Sequence, residues 1–186
     1  RHAIQANDYV AVSGGTWALS AGTDGIHAEN SDDAELGFIY IAGGALDIQA
    51  DSDGMDANYV LEVDGGSVSV AAGDDGLHAE YGLVVNGGDV TVSQSYEGLE
   101  GSTVTITGGI IDVTASDDGI NAAGVPTGES DSSSEDAAAQ PVDGAQPGEN
   151  GAQPGGGMDD YDSTAQVTIT GGSVSVLAGG DGIDSN

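Results

Sequence analysis

The sequence predicts an all-β protein: a right-handed, single-stranded parallel β-helix with 21–22 residues and three short strands in each turn. Three observations lead to this prediction. A Gly-Gly pair and a later acid-Gly step recur along the chain, the interval between them is constant, and the apolar residues around them alternate with a period of two. Right-handed winding is expected because parallel β connections are almost always right-handed.

The repeat is defined by its glycines. The first Gly of each pair is residue 14, 43, 65, 87, 108 or 171, and the Gly of the following acid-Gly step lies 11 residues later in all six copies. A helix is disfavoured, since each interior glycine would cost about 1 kcal/mol. A Greek-key sandwich also has short, regularly spaced strands, but it does not require one residue type at one phase in every copy.

Each predicted turn contains three alternating runs. The apolar pairs of the first run, just before the Gly pair, are Val10/Val12, Ile39/Ile41, Leu61/Val63, Leu83/Val85, Val104/Ile106 and Val167/Ile169. Those of the second run are Trp17/Leu19, Leu46/Ile48, Val68/Val70, Val90/Val92, Ile111/Val113 and Val174/Val176. The third run, after the acid-Gly step, begins at Ile26, Met55, Leu77, Leu99, Ile120 and Ile183. Stacked turns about 4.8 Å apart would place these side chains in inward columns, so Trp17 is predicted to lie in the core.

The chain, residues 1–186, is predicted to be one domain with an insertion at about 124–163. The insertion contains all four prolines and two copies of GAQPG, and it lacks apolar alternation, which is typical of a flexible excursion. The chain begins and ends in the third strand of a turn. We therefore expect a segment of a longer solenoid or of a processed, exported precursor, and an extracellular or cell-surface location.

Composition limits the partners. The chain has 32 acidic residues and one basic residue, for a net charge of −31 at pH 7. Nucleic acid and anionic membranes are disfavoured, because both require Lys or Arg to neutralise phosphate. No apolar run of membrane-spanning length is present, and the absence of cysteine excludes disulfides and thiolate metal sites.

The acid-Gly steps predict a cation site. Carboxylates stacked about 4.8 Å apart repel each other by about 3.5 kcal/mol at an effective dielectric constant of about 20, whereas Ca²⁺ takes six to eight oxygen ligands. The candidate Ca²⁺ ligands are Asp24, Asp53, Asp74, Asp75, Glu97, Asp117, Asp118 and Asp181, with Asp56, Glu29, Glu80 and Glu100 on the same edge. The alternative is a purely local role, in which Asp accepts a backbone hydrogen bond and Gly completes the turn.

Four further ring side chains have two possible roles each. His27 and His78 occupy one column, and we interpret them as rings that separate carboxylates rather than as catalytic bases. Tyr59 and Tyr81 occupy one corner in consecutive turns. They are candidate carbohydrate-binding residues, or they fill the corner.

The repeats carry a family resemblance. GGSVSVAAGDDGLHA, GGIIDVTASDDGINA, the opening HAIQAND and the Gln-Pro-Gly-rich insertion ending in GGM resemble the calcium-binding carbohydrate-binding domain proteins with a pectate-lyase-like β-helix. The resemblance covers about residues 1–123 and 164–186, with Glu97 where Asp is usual. It implies a secreted, non-catalytic protein that binds Ca²⁺ and plant cell-wall polysaccharide, either pectin-like and acidic or cellulosic.

Two other functional classes are compatible with a β-helix. A polysaccharide lyase would need a basic residue to abstract a proton, but the chain has no Lys and its one Arg is Arg1, so we predict that the protein is not an enzyme. The second class is a Ca²⁺-stabilised structural or adhesive surface fibre. Unpaired strand edges at the two ends of a β-helix would allow end-to-end stacking into an oligomer or filament.

Overall fold

The computed structural model describes residues 1–124 and 165–185. Within these ranges the regular secondary structure is all β, without a helix, and fifteen strands form one large parallel sheet. Apart from its first residue, the predicted insertion at about 124–163 lies outside the described residues. The described ranges contain no helix long and apolar enough to cross a membrane.

The strands follow the repeats. In chain order they are β1 (Ile4–Ala6), β2 (Tyr9–Ala21), β3 (Ile26–Ala28), β4 (Phe38–Ala50), β5 (Met55–Ala57), β6 (Val60–Val63), β7 (Ser67–Ala71), β8 (Leu77–Val85), β9 (Asp89–Gln94), β10 (Leu99–Ile106), β11 (Ile110–Thr114), β12 (Ile120–Ala122), β13 (Gln166–Ile169), β14 (Ser173–Leu177) and β15 (Ile183–Ser185). Some run through predicted corners: β2 and β4 continue across their Gly pairs, and β8 joins the third run of one repeat to the first run of the next.

Pairing joins equivalent positions of neighbouring repeats. Val10 pairs with Ile39, Ile39 with Leu61 and Leu61 with Leu83, which is the predicted first-run column. The second-run and third-run columns are also in register. The predicted phase of the repeat is therefore confirmed.

Most of the column side chains form one core, but Ile169 and Ile183, in the repeat after the insertion, were predicted to point inward and are 41 % and 52 % exposed. Ile41, Leu61 and Leu83 are fully buried, and each such side chain contributes about 1.5–3 kcal/mol relative to an exposed position. Trp17 departs from the prediction: it pairs with Leu46 as expected, but 40 % of its surface is exposed. The indole lies against the Gly pair of its own strand instead of in the core: its N–H donates to Gly14 O at 2.9 Å, and a Cβ on Gly15 would lie 3.2 Å from its Nε1.

Two kinds of glycine hold the repeats at this spacing. The second Gly of each pair has a positive φ, between 85° and 108°, which glycine adopts without steric cost. The Gly of the acid-Gly step is required for a different reason: a side chain there would clash with the carbonyl oxygen of the next repeat. A Cβ on Gly25 would lie 2.6 Å from Gly54 O, and a Cβ on Gly76 would lie 2.5 Å from Gly98 O. These glycines therefore let the acid-bearing corners approach one another closely.

Candidate functional site

The acidic ladder comprises the acids of the six acid-Gly steps: Asp24, Asp53, Asp75, Glu97, Asp118 and Asp181. Backbone hydrogen bonds connect them, because the glycine N–H of each step donates to the carbonyl of the acid one repeat later. Gly25 N donates to Asp53 O and Gly54 N to Asp75 O, both at 2.9 Å. The same contact recurs up to Asp181. The fold thus places one acid per repeat along a single edge of the sheet.

Seven of the predicted metal ligands converge into three overlapping groups. Within each group, one carboxylate oxygen per residue lies within 4.8 Å of the others: Asp24, Asp53 and Asp56; Asp53, Asp74 and Asp75; and Asp75, Glu97 and Glu100. Asp53 and Asp75 each belong to two groups, so the groups form a continuous line. A cation at one group would therefore affect its neighbours.

Part of the ladder also has the local role that the sequence left open. Asp75 N donates to Asp53 Oδ1 at 2.9 Å, and Asp53 N donates to Asp24 Oδ1 at 3.3 Å. Only one oxygen of each acceptor carboxylate is used in these bonds. A turn role and a ligand role are therefore compatible for Asp53, whereas the second oxygen of Asp24 contacts His2 Nδ1 at 2.8 Å and His27 Nδ1 at 3.1 Å.

The imidazoles alternate with carboxylates beside the ladder. His27 Nδ1 donates to Asp56 Oδ2 at 2.8 Å, and His78 Nδ1 donates to Asp56 Oδ1 at 2.9 Å. His2, which the sequence analysis did not select, lies 2.8 Å from Asp24 and stacks on the His27 ring with centroids 4.2 Å apart. This arrangement agrees with the interpretation of the histidines as spacers between negative charges.

Electrostatics at this edge favour positive charge. Burial raises the pKa of Asp53 to about 6, although the hydrogen bond from the Asp75 backbone opposes the shift. Burial and the neighbouring Glu100 also raise the pKa of Asp75. Burial alone would lower the pKa of His78, but its hydrogen bond to Asp56 and the surrounding carboxylates raise it to about 9. Apart from protonated His78, these carboxylates have little positive charge beside them, so a bound cation would stabilise their ionised forms.

The donors fit a hard divalent cation. Carboxylate and amide oxygens are the ligands that Ca²⁺ takes. Asn121 Nδ2 donates to Glu97 Oε2 at 2.9 Å, while its Oδ1 is buried without a hydrogen-bond partner. Asn121 pairs with Glu100 in the parallel register, and an unpaired buried oxygen is costly, so this atom is open to a further partner. A cleft of about 370 Å³, whose lining includes Asp53, Asp74 and Asp75, gives solvent access to the middle group.

The other predicted ligands lie nearby without joining these groups. Glu29 Oε2 is 3.2 Å from His27 Nε2, and Glu80 lines the cleft. Asp118 Oδ1 accepts from Asp181 N at 2.7 Å. Among the described residues, Asp117, Asp118 and Asp181 belong to no group of three convergent ligands.

The two tyrosines predicted to bind carbohydrate are in contact. Tyr59 and Tyr81 have ring centroids 5.0 Å apart, and the row continues through Phe38 to Tyr9. We call these four residues the aromatic row. Sequence reasoning missed half of it because Tyr9 and Phe38 stand five residues before their Gly pairs, whereas Tyr59 and Tyr81 stand six before theirs.

Comparison with known proteins gives a family for this architecture. A family model described as "Carbohydrate-binding domain-containing protein" matches residues 1–138, most of the chain. Comparisons with curated proteins and with solved structures gave no match. The family description indicates a carbohydrate-binding, non-catalytic module with polysaccharide as its partner. The chain belongs to the family of carbohydrate-binding domain-containing proteins.

Proposed function

We propose that this protein is an extracellular, non-catalytic module that binds acidic polysaccharide, specifically polygalacturonate, through Ca²⁺ ions held along the acidic ladder. The observation that carries the proposal is the line of three carboxylate groups that share Asp53 and Asp75. Asn121, which pairs with Glu100 in register, adds a buried oxygen without a hydrogen-bond partner. In the family as described, the ligand is a carbohydrate; calcium and the acidic glycan are our extension.

We also propose that the chain winds as a right-handed β-helix. Parallel pairing of each strand with its counterpart one repeat away supports a right-handed β-helix. In that fold the acidic ladder runs parallel to the helix axis. A polysaccharide lying along the same axis would then meet one acidic corner per turn.

Charge explains why calcium is needed. A uronate chain and a protein of net charge −31 repel each other, and the protein has one basic residue to offset this repulsion. An ion that keeps coordination sites outside the protein can also bind carboxylate and hydroxyl oxygens of the sugar. Asp74 is exposed beside Asp75, so the middle group presents such an open side to solvent.

A catalytic function is not supported by the same residues. The chain has no Lys and a single Arg, Arg1, so a β-elimination of uronate would have no obvious basic residue to remove the proton. The fibre formed by end-to-end stacking stays a prediction. It is compatible with glycan binding, because the acidic ladder lies along the side of the stack.

The test is retention on immobilised polygalacturonate, with cellulose and an uncharged polysaccharide as comparisons. We expect retention on polygalacturonate in Ca²⁺ and its loss in EDTA. Asp75→Asn should weaken retention, since Asp75 belongs to two carboxylate groups, whereas Asp112→Asn, at an exposed acid outside them, should not. Retention in EDTA would overturn the bridging role of calcium, and release of unsaturated product would identify a lyase.

A further inference from the structure

Two histidines converge on the first acid of the ladder. His2 Nδ1 lies 2.8 Å from Asp24 Oδ2, and His27 Nδ1 lies 3.1 Å from the same oxygen. One donor atom from each of the three residues lies within 4.8 Å of the others. The three groups described above contain carboxylates alone, whereas this one offers two nitrogens and one oxygen. We call it the histidine group.

The fold holds the members of the histidine group in place. Asp24 and His27 are buried, with 6 % and 9 % of their surface exposed. Ala3 N donates to Asp24 O at 3.1 Å, which fixes the backbone next to His2. Asp24 Oδ1 accepts from Asp53 N, so Oδ2 is the oxygen that faces the two imidazoles. The donor atoms are therefore preorganised by the strands and are not carried on freely moving side chains.

The second ring nitrogen of His27 has a carboxylate partner of its own. His27 Nε2 lies 3.2 Å from Glu29 Oε2. A metal-bound imidazole almost always donates its other N–H to a carboxylate, a carbonyl or water, and this bond fixes the tautomer and orients the ring. With its proton on Nε2, neutral His27 has a lone pair on Nδ1, the atom that faces Asp24. His27 is thus held as a metal ligand is held.

Protons alone satisfy the histidine group poorly. His27 Nδ1 is within reach of two carboxylate oxygens, Asp24 Oδ2 at 3.1 Å and Asp56 Oδ2 at 2.8 Å, but it can carry only one proton. A proton on each nitrogen of His27 would make the ring a cation, and its centroid lies 4.2 Å from that of His2, which must itself donate to Asp24. One divalent ion between the two Nδ1 atoms and Asp24 leaves both rings neutral and balances the carboxylate.

The donor set selects a transition-metal ion instead of Ca²⁺. Ca²⁺ takes oxygen ligands, whereas imidazole nitrogen suits Zn²⁺. Zn²⁺ binds His N and Asp O at about 2.0–2.2 Å in tetrahedral geometry, which places ligand atoms about 3.3 Å apart. The spacings of 2.8 and 3.1 Å around Asp24 Oδ2 need only a small expansion to admit this ion.

We propose that His2, Asp24 and His27 form a zinc site, which is distinct from the calcium sites proposed for the acidic ladder. Asp24 gives Oδ2 to zinc, and the two carboxylate groups that contain Asp75 do not include Asp24. Zinc and calcium therefore bind one edge of the protein at the same time. Three protein ligands leave the fourth position of zinc to water.

The test is calorimetric titration of the full chain with ZnCl₂ in the presence of excess Ca²⁺, which occupies the groups that offer oxygen alone. We expect one zinc ion per chain. His2→Ala and His27→Ala should each weaken zinc binding by more than about tenfold, since even the loss of an outer-shell partner costs that much. His78→Ala is the matched control, because this third histidine belongs to no convergent group among the described residues. Circular dichroism confirms that each variant is folded.

A second measurement needs no variant. In the NMR spectrum of the wild-type chain, zinc should shift the imidazole signals of His2 and His27 and leave those of His78 in place. Equal shifts of all three rings would overturn the site, because zinc would then be responding to the general negative charge of the edge.

The outcomes are separate from those that test calcium. Asp75→Asn should leave zinc binding unchanged while it weakens retention on polygalacturonate. A wild-type chain that binds no zinc in excess Ca²⁺ would overturn the zinc site and leave the calcium proposal standing. Wild-type zinc affinity in His2→Ala and His27→Ala, or an equal loss in His78→Ala, would also overturn it.

Discussion

Individual acids in the ladder have two competing demands. Asp53 accepts a backbone hydrogen bond from Asp75, which favours its charged form, yet burial raises its pKa to about 6. The folded chain therefore binds a proton at Asp53 more strongly than the unfolded chain does. Under our proposal Ca²⁺ replaces that proton, and the same residue changes from a destabilising charge to a ligand.

This exchange predicts a pH dependence. In EDTA, the melting temperature should fall as the pH rises from about 4 to about 6, because Asp53 ionises at higher pH in the folded chain than in the unfolded chain. With Ca²⁺ the fall in melting temperature should be smaller, so the melting temperatures with Ca²⁺ and with EDTA should differ more as the pH rises from about 4 to about 6. Asp53→Asn should reduce the pH dependence of the melting temperature in EDTA, and Asp112→Asn should not. A melting temperature that rises across this window in EDTA would contradict the account.

Close approach of the corners predicts that a methyl group added at Gly76 destabilises the fold. Gly76→Ala should destabilise the protein by about 1–3 kcal/mol, the usual cost of overpacking, because the new Cβ would meet Gly98 O and Val92. Gly182→Ala is the matched control: it occupies the same position in its repeat, but no heavy atom lies within 4 Å of its added Cβ. Urea unfolding of both variants measures the difference, and equal stability would contradict the role assigned to Gly76.

The strands and their register are the part of the fold that the sequence predicts best. The constant interval between glycines determined the phase, and the paired columns follow it from Val10 to Leu83. The chain could not reveal that Trp17 is exposed, since alternation assigns a face but not the neighbour that covers it. The aromatic row was half missed because Phe38 and Tyr59 differ by one position in phase, and ring contact depends on corner geometry as well as spacing.

The register of the repeats predicts that the insertion is dispensable. Strand β12 precedes the insertion and β13 follows it, and both pair with β10. Gly101 pairs with Ala122 before the insertion and Thr103 pairs with Gln166 after it, so only Ser102 separates the two paired positions in β10. Replacing residues 125–163 with a short Gly/Ser linker should therefore preserve the fold. Circular dichroism and thermal melting of the shortened chain test this. A loss of soluble, folded protein would show that the insertion contributes to stability.

The whole molecule has a charge imbalance that its own side chains do not correct. With 32 acidic residues and one basic residue, self-repulsion opposes folding at neutral pH. We therefore expect EDTA at low ionic strength to lower the melting temperature strongly. An ion that binds only the folded state, at a free concentration about 100 times its Kd, adds about 2.7 kcal/mol to the free energy of unfolding. A melting curve that is the same with Ca²⁺ and with EDTA would contradict a stabilising role for bound ions.

The most direct measurement is the number of Ca²⁺ ions bound per chain, counted by native mass spectrometry before and after chelation. We expect more than one ion per chain in the wild type and none after EDTA. Asp75→Asn should reduce the number, because it removes a ligand from two carboxylate groups, and Asp112→Asn should leave it unchanged. A wild-type chain that binds no Ca²⁺, or an Asp75→Asn chain with the full wild-type number, would show that the acidic ladder is not a calcium site.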